Sequence, residues 1–294
     1  MLKKHKRSII PIFLLPLLIV YVVFQLYPII LNVIYSCLNW NGINKWANFI
    51  GLENYKEIVF DGLFWNAFKN SIVFAIFGTL FQVFISFSIA YFIEFNSFKL
   101  KKTIRLIFIM PIVATSATIG IIMKAIFSYN GALNILLKKI GMGEINWLAD
   151  PVWAFIMIIL VSIWKETGTL FIYWIASFKL VSSSIIDAAN LDGVTEKEMF
   201  AYIIFPIIKP VILFVSVITF INSLKVFDII QTLTSGGPYF STDMLSTYIY
   251  RTAFSSSFGA PRLSYASAAS VLCLIFILII AYISKIIFKN IKRK

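Results

Sequence analysis

Side chains that commonly take part in covalent chemistry are few in this sequence and lie far apart. The single histidine is His5, in a basic segment at the start of the chain, and the two cysteines are Cys37 and Cys273. Because the one histidine lies outside the apolar runs, no Ser-His-Asp triad can be assembled in them, and the two histidines of an HExxH zinc motif are not present. No GxxxxGK[ST] phosphate loop occurs either. The sequence therefore predicts no catalytic residue, no disulfide framework, and no metal or other cofactor bound by the chain itself.

Two segments place polar side chains inside long apolar runs. They are "WKETGT", which begins at Trp164, and "FINSLKVFD", which ends at Asp228. Ionisable groups at membrane depth are costly and are candidates for the path of a polar solute. We therefore predict that such a path uses Trp164, Lys165, Glu166, Thr169, Asn222, Ser223 and Lys225. The alternative is that Lys165 and Glu166 pair within the helix bundle or reach the membrane interface.

A third segment, "DAANLDGVTEKEMFAYIIFPIIKP" (Asp187–Pro210), is a polar stretch between two apolar runs. Ser182, Ser183 or Ser184 can cap a helix that starts here, and Asp187 would favour its first turns through the helix dipole. Such a helix offers small side chains at Ala188 and Ala189, where another protein could approach closely.

The same segment contains the signals for a turn. Gly193 is expected to end the first helix, and Thr195 with Glu198 fits a capping box that opens the next one. Pro206 and Pro210 follow at the entry to the next apolar run. The alternative is an ordinary solvated loop between two spans.

Composition indicates what kind of chain positions these residues. Of its 294 residues, 60% are hydrophobic and 13% are charged, with a mean hydropathy of +0.89. A soluble protein has about 25% charged residues. The net charge of +13 comes mainly from Lys and Arg at the ends of apolar runs, so it indicates membrane orientation and not nucleic-acid binding. The fold class is therefore an all-α, polytopic membrane protein in contact with lipid.

Apolar runs long enough to cross a bilayer occur at six places. They must be helical, because a chain in lipid has to satisfy its backbone hydrogen bonds internally. The first run is too long for a secretory signal and is interpreted as a retained signal-anchor helix. The predicted spans are Ser8–Val33, Asn70–Ile93, Leu106–Phe127, Val152–Phe178, Ile203–Leu224 and Tyr265–Ile287.

Lys and Arg are unequally divided between the two sides of these spans. The richer side holds both termini and the Asp187–Pro210 segment, so these are predicted to be cytoplasmic. The loops around 39–55, 129–151 and 234–244 would then lie outside, and apolar residues in the second of them favour a short interfacial helix. Two parts follow: 1–69, with the tail, the first span and an external loop, and 70–294, a transmembrane core.

The Asp187–Pro210 segment resembles the cytoplasmic loop of binding-protein-dependent ABC importer permeases, whose signature is E-A-A-x-x-x-G, nine residues, I-x-L-P. Asp187-Ala188-Ala189, Gly193 and Ile203-x-Phe205-Pro206 occupy those positions without insertion. Asp replaces Glu at 187, and Phe replaces Leu at 205. "FIGLENY" (Phe49–Tyr55), "LTSGGP" and "LSYASAAS" are similar to segments of the maltose-type sugar permeases, and specifically of the first of their two permease subunits.

This resemblance implies the fold and the partners of the chain. The fold would be that of a type I ABC importer permease with six transmembrane helices and a coupling helix in the loop at about 180–206. The partners would be a second, homologous permease subunit, two ATPase subunits that use ATP and Mg, and an extracytoplasmic solute-binding protein. The complex would move a sugar or oligosaccharide through a bacterial cytoplasmic (inner) membrane by alternating access.

The resemblance also implies roles for residues of the loop. The residues that would couple the chain to an ATPase are Asp187, Ala188, Ala189, Asp192, Gly193 and Pro206. Asp187 would pair with a basic residue of the ATPase, and the small residues would allow close approach.

Three other functions are compatible with the residues. The first is a permease for another solute such as glycerol phosphate. The second is a secondary transporter, which should show inverted repeats and intramembrane charges in both halves, and the sequence shows neither. The third is a membrane-anchored assembly partner without a pathway.

Overall fold

A computed structural model describes residues 14–96, 99–255 and 259–291, except for the side chains of 290 and 291. The basic N-terminal residues with His5, the predicted start of the first span at 8–13, and residues 292–294 lie outside the described part. Within it the chain is mostly helical, as predicted. The strands of the described part are an antiparallel pair of two residues each, β1 (Leu38–Asn39) and β2 (Asn48–Phe49), in which Leu38 faces Phe49.

The helices are numbered along the chain. They are α1 (Leu14–Ser36), α2 (Glu53–Phe60), α3 (Gly62–Phe95), α4 (Lys101–Val113), α5 (Ser116–Ile126), α6 (Ala132–Lys139), α7 (Pro151–Phe178), α8 (Ser183–Leu191), α9 (Glu196–Leu224), α10 (Asp228–Leu233), α11 (Leu245–Phe254) and α12 (Leu263–Ile291). Helix α6 lies in the second predicted outer loop and confirms that this loop contains a short helix.

Among the described residues, five helices are long and apolar enough to cross a membrane: α1, α3, α7, α9 and α12. The prediction of a continuous third span over Leu106–Phe127 is wrong, because α4 and α5 are bent by 99° at a break between them. Pro111 removes a backbone donor near the end of α4. Thr115 is extended and caps α5 by accepting the Thr118 N–H at 3.2 Å. Counting the bent pair as one span gives the predicted six.

Two spans are longer than predicted. Helix α3 begins at Gly62 and not at Asn70, and its 34 residues extend over roughly 50 Å, well beyond the hydrocarbon core. Helix α9 begins at Glu196 and not at Ile203. Both extra lengths contain polar residues, which a hydropathy criterion does not count as part of a span.

The chain divides into two compact units. The first consists of Met1–Gly62 and Ile249–Phe276. In its described part, Arg262 makes two hydrogen bonds to the Glu57 carboxylate, at 2.6 and 2.5 Å, and lies over the Tyr265 ring. The Tyr265 hydroxyl donates to Asp61 at 2.7 Å. The hydrogen bond from Arg262 holds the pKa of Glu57 below its ordinary value. This network ties α2 to the start of α12.

The second unit consists of Leu63–Tyr248 and Ile277–Lys294. In it, two glycines allow helices to approach closely. A Cβ at Gly168 of α7 would lie 2.4 Å from the Phe108 carbonyl oxygen of α4, and one at Gly120 of α5 would lie 1.8 Å from Thr232 Oγ1 of α10. The two halves of the broken span therefore pack against different helices, α4 against α7 and α5 against α10.

A buried cluster joins α3, α7, α8 and α9 within this second unit. It includes Ala90, Trp174, Ala189 and Ile204, each at most 5% exposed. The Trp174 indole N–H donates to the Ser86 hydroxyl of α3 at 2.7 Å. The short helix α8 is thus packed onto the ends of long helices and is not a solvated loop.

Candidate functional site

The first candidate site is the polar corner between α8 and α9, residues 183–198. Gly193 follows two residues after Leu191, the last residue of α8, and terminates the helix. Its φ of +74° favours glycine. The Gly193 N–H donates to Asn190 O at 3.2 Å, and the Val194 N–H donates to Ala189 O at 3.1 Å. These two bonds form the Schellman arrangement, so the prediction that Gly193 ends the helix is confirmed.

The start of α9 is also formed as predicted. The Glu198 N–H donates to Thr195 Oγ1 at 3.4 Å, and the Thr195 N–H donates to Glu198 Oε2 at 2.9 Å. This reciprocal pair is a capping box. The corner is therefore stabilised by its own residues at both helix ends.

One detail of α8 differs from the prediction. Ser182 is the N-cap residue, but its side chain makes no capping bond and lies 3.0 Å from the Ser184 hydroxyl. Asp187 is in the second turn of α8, where the dipole effect has declined. The packing of Ala189 against the core holds α8 in place instead.

The predicted coupling residues divide into an exposed group and a buried residue. Asp187, Ala188, Asp192 and Gly193 are exposed, whereas Ala189 is 5% exposed and belongs to the protein's own core. The exposed residues therefore present a small, acidic surface, next to Leu191, which is 90% exposed.

Pro206 lies beyond a π-helical segment of α9, Met199–Ile204. In this segment the Phe205 N–H donates to Phe200 O. Because Pro206 has no N–H, the regular hydrogen-bond pattern cannot continue through it, and the wider turn accommodates that loss. Pro206 itself is exposed at the start of the regular α-helical part of α9.

The second candidate site is a polar cavity of about 330 Å³ in the second unit. It lies among α3, α7, α9, the start of α5 and the start of α10. Its lining is Phe74, Gln82, Ser116, Ser162, Glu166, Thr169, Leu170, Tyr173, Ile218, Thr219, Asn222, Ser223, Lys225, Val226, Phe227, Asp228 and Ile229. Polar groups from five helices and the segment before α10 thus face one space.

Most of the predicted path residues lie in this lining. Glu166, Thr169, Asn222, Ser223 and Lys225 all line the cavity. Trp164 and Lys165 are not among the lining residues, and Trp164 is 48% exposed. Lys165 Nζ lies 2.8 Å from Glu166 Oε1, so the pairing considered as the alternative for these two residues is present, while Glu166 also faces the cavity.

Several lining residues were not predicted. Gln82 is 2% exposed although it lies in an apolar run, and its isolation there is the only sequence signal for it. Ser162 is 2% exposed, and its hydroxyl has no hydrogen-bond partner in the described structure. Asp228 begins α10. These groups come together through tertiary packing.

The cavity combines aromatic rings with hydroxyl, amide and carboxylate groups. Such a lining suits a hydroxyl-rich solute, since the rings pack on its carbon faces and the polar groups exchange hydrogen bonds. Among the described residues no group of three or more His, Cys, Asp or Glu side chains could hold a metal ion.

Apolar helices long enough to span a membrane, with an internal cavity lined by polar groups, define a polytopic α-helical membrane protein. The chain belongs to the family described as "Binding-protein-dependent transport system inner membrane component", whose profile matches residues 82–294. The predicted resemblance to ABC importer permeases is therefore confirmed, and the protein is a multi-pass inner-membrane transport component. A secondary transporter and a mere assembly partner are excluded by this membership.

Individual relatives agree with the family. The chain is 31% identical to the lactose transport system permease protein LacF of Rhizobium radiobacter, over 92% of this chain and 91% of the relative. It is similar, with a TM-score of 0.83 and 25% identity over 98% of both chains, to a chain of a bacterial ABC transporter involved in the import of alginate. A chain of the alginate transporter in complex with an alginate pentasaccharide-bound periplasmic protein has a TM-score of 0.80 and 24% identity, over 97% of this chain and 95% of that one.

Proposed function

We propose that the chain conducts a sugar or oligosaccharide through the polar cavity as one permease subunit of an ATP-driven importer. The observation that carries this proposal is the mixed aromatic and polar lining of the cavity between spanning helices. The unpartnered Ser162 hydroxyl supports it, because a buried hydroxyl without a partner is costly and a sugar hydroxyl would supply one when the lining moves to admit the solute. The names of relatives such as the lactose permease point to the same class of solute.

The charges of the cavity favour a sugar over a glycerol phosphate. Lys225 is the one cation among the described lining residues, whereas Glu166 and Asp228 supply carboxylates, the first of them paired with Lys165. A phosphate group would meet these carboxylates, and sites for phosphate normally offer several cationic or N–H donors. An uncharged hydroxyl-rich solute has no such conflict.

The polar corner is proposed to receive the force that drives transport. In this scheme each of two ATPase subunits, which bind ATP and Mg, engages the coupling surface of one permease, and a second, homologous permease completes the pathway. The exposed Asp187, Asp192 and Gly193 would contact the ATPase. Both termini and this corner would be cytoplasmic, and an extracytoplasmic solute-binding protein would deliver the substrate.

Side-chain packing links the polar corner to the cavity, so that a movement of one is transmitted to the other. Ala189 of α8 lies in one close-packed cluster with Trp174 of α7 and Ile204 of α9. Close-packed interiors do not absorb displacement by compression. A movement of α8 therefore has to shift α7 and α9, whose other parts carry Thr169 and Asn222 of the cavity. Binding of ATP by the partner would in this way open the pathway outward, and hydrolysis would reset it.

Reconstituted uptake tests this proposal. In proteoliposomes that contain the chain with its partner permease and ATPases, uptake of radiolabelled lactose or another oligosaccharide should require both ATP and the solute-binding protein. Asn222→Ala, in the cavity, should reduce uptake at limiting sugar about tenfold, the effect of losing one good hydrogen bond. Asn96→Ala, outside the cavity and exposed beyond α3, should leave it unchanged. Uptake driven by an ion gradient without ATP would contradict the proposal.

A further inference from the structure

The loop of residues 234–244, here named the tyrosine loop, is held in an uncommon backbone conformation. Ser235, Tyr239 and Phe240 have positive φ angles of 53°, 49° and 59°. Side chains other than glycine rarely adopt this region, and they persist there only where the surrounding structure determines it. Such positions are concentrated at binding and catalytic sites.

Two asparagines of α3 hold the tyrosine loop through hydrogen bonds to its backbone. The Asn66 side-chain amide donates to Phe240 O at 2.8 Å. The Asn70 amide is within hydrogen-bond distance of Ser241 O and Asp243 O, at 3.0 and 3.1 Å, and of Phe240 O at 3.3 Å. The two asparagines are four residues apart and so lie on one helix face. The rigid α3 helix therefore determines the position of the loop.

Buried polar residues hold the loop from within. Thr242 is fully buried, and its hydroxyl donates to Gly237 O at 2.6 Å and lies 2.8 Å from the Thr234 hydroxyl. Asp243 is 1% exposed and accepts from the Thr247 hydroxyl at 2.7 Å. The loop is thus pre-organised and does not become ordered only on binding.

The loop held by these hydrogen bonds exposes the side chain of Tyr239. Tyr239 is 91% exposed, the highest value among the large hydrophobic side chains of the described residues, and its nearest exposed neighbours of this kind along the chain are Phe214 and Tyr250. A tyrosine on a rigid loop loses little conformational freedom on binding, and tyrosine is enriched among the residues that dominate protein–protein affinity. One fully exposed ring beside the half-buried Pro238 and Phe240 suits one pocket of a protein partner better than an apolar membrane surface.

The tyrosine loop directly follows an element of the polar cavity. Helix α10 contributes Asp228 and Ile229 to the cavity lining. At the other end of α10, the Ser235 N–H donates to Ile230 O at 2.8 Å. A partner bound at the loop would therefore contact the segment that leads into the cavity.

We propose that Tyr239 is an anchor by which the extracytoplasmic solute-binding protein docks on this chain. The inference rests on the proposed function, which places the loop outside and requires such a partner. The ring enters a pocket of the binding protein, and the pre-organised loop sets the docked protein beside α10 and the cavity.

Stimulation of the ATPase by the solute-binding protein tests the anchor. In nanodiscs that contain the complete transporter, Tyr239→Ala should raise the half-maximal concentration of sugar-loaded binding protein about tenfold or more. The ATPase rate without binding protein should stay unchanged. Tyr239→Phe, which keeps the ring, should resemble the wild type. The control is Tyr282→Ala on α12, whose side chain is 65% exposed, and it should have no effect.

The outcomes separate the inference from the function on which it rests. If the wild-type transporter does not respond to the binding protein, both are wrong. If the wild type responds and Tyr239→Ala gives the same half-maximal concentration, the anchor alone is wrong. A Tyr239→Cys variant, with Cys37 and Cys273 replaced by Ser, should react with a membrane-impermeant maleimide from outside and be protected by the binding protein. Lack of reaction from outside would place Tyr239 in lipid or on the other side, and overturn the anchor.

Discussion

Replacing Ser162 by alanine should make the protein more stable and its transport weaker. Ser162 is 2% exposed, and its hydroxyl has no partner in the described structure while it lines the cavity. Burying such a group costs about 1–3 kcal/mol, of which relaxation of the surrounding side chains recovers a large part. We expect the free energy of unfolding to rise by up to about 1 kcal/mol. The sugar should lose one hydrogen bond worth about 0.5–1.5 kcal/mol, a three- to tenfold increase in KM.

Ser86→Ala is the matched control for this change. Ser86 is also completely buried, but its hydroxyl donates to Gln82 O at 2.5 Å and accepts from the Trp174 indole at 2.7 Å. Removing it leaves the Trp174 N–H without its partner, which should lower the free energy of unfolding by about 1–3 kcal/mol. The same Ser→Ala change is thus expected to shift stability in opposite directions at the two sites.

Thermal unfolding in nanodiscs and uptake in proteoliposomes measure the two effects. The expected result is a Tm that is equal or higher for Ser162→Ala and lower for Ser86→Ala, with KM raised for Ser162→Ala. If Ser162→Ala lowers Tm as Ser86→Ala does, the Ser162 hydroxyl has a structural role. If Tm rises and KM is unchanged, the sugar does not bind where Ser162 faces, and the assignment of the cavity is refuted.

Two further pairs of substitutions test the corner and the cavity. Gly193→Trp should keep ATP hydrolysis but reduce uptake strongly, whereas the control Gly141→Trp should leave uptake unchanged. The two glycines are matched, because each has a positive φ, +74° and +79°, and open space around it. Equal losses of uptake would indicate that backbone strain and not docking is responsible. Lys225→Ala should change sugar selectivity in competition uptake with assembly intact. Lys165→Ala should mainly reduce the yield of assembled complex, because the half-buried Glu166 loses its partner; a change of selectivity only in Lys165→Ala would reverse these roles.

The polar corner could be predicted in detail because its determinants are local. The Schellman turn depends on a glycine at 193, and the capping box depends on Thr195 and Glu198, which are three residues apart. Such signals operate within one helical turn and do not depend on what packs nearby. Ser182, one of the three serines predicted as caps, is the N-cap residue, but its side chain makes no capping bond. Tertiary contacts, here those of Ala189, position the helix without it.

The polar cavity could be predicted only in part, because its residues meet through packing. The sequence predicts Glu166, Asn222 and Lys225, because a polar residue inside an apolar run can be recognised from that run alone. Gln82 and Ser162 belong to other parts of the sequence, and no local pattern shows that they face the same space. That Trp164 points away while Glu166 faces the cavity depends on the rotation of α7, which a run of apolar residues does not specify.

The broken third span explains how the start of α5 reaches the cavity. Hydropathy measures whether a segment is apolar enough to cross, but not whether its two halves share one direction. Here the 99° bend lets α4 continue along α7 while α5 turns to pack on α10. The first residue of α5, Ser116, thereby enters the cavity lining, and α5 and α10 form a pair that borders the cavity. Helix α10 leads directly into the tyrosine loop. The packing of α5 on α10 therefore links the cavity to the surface where a partner would dock.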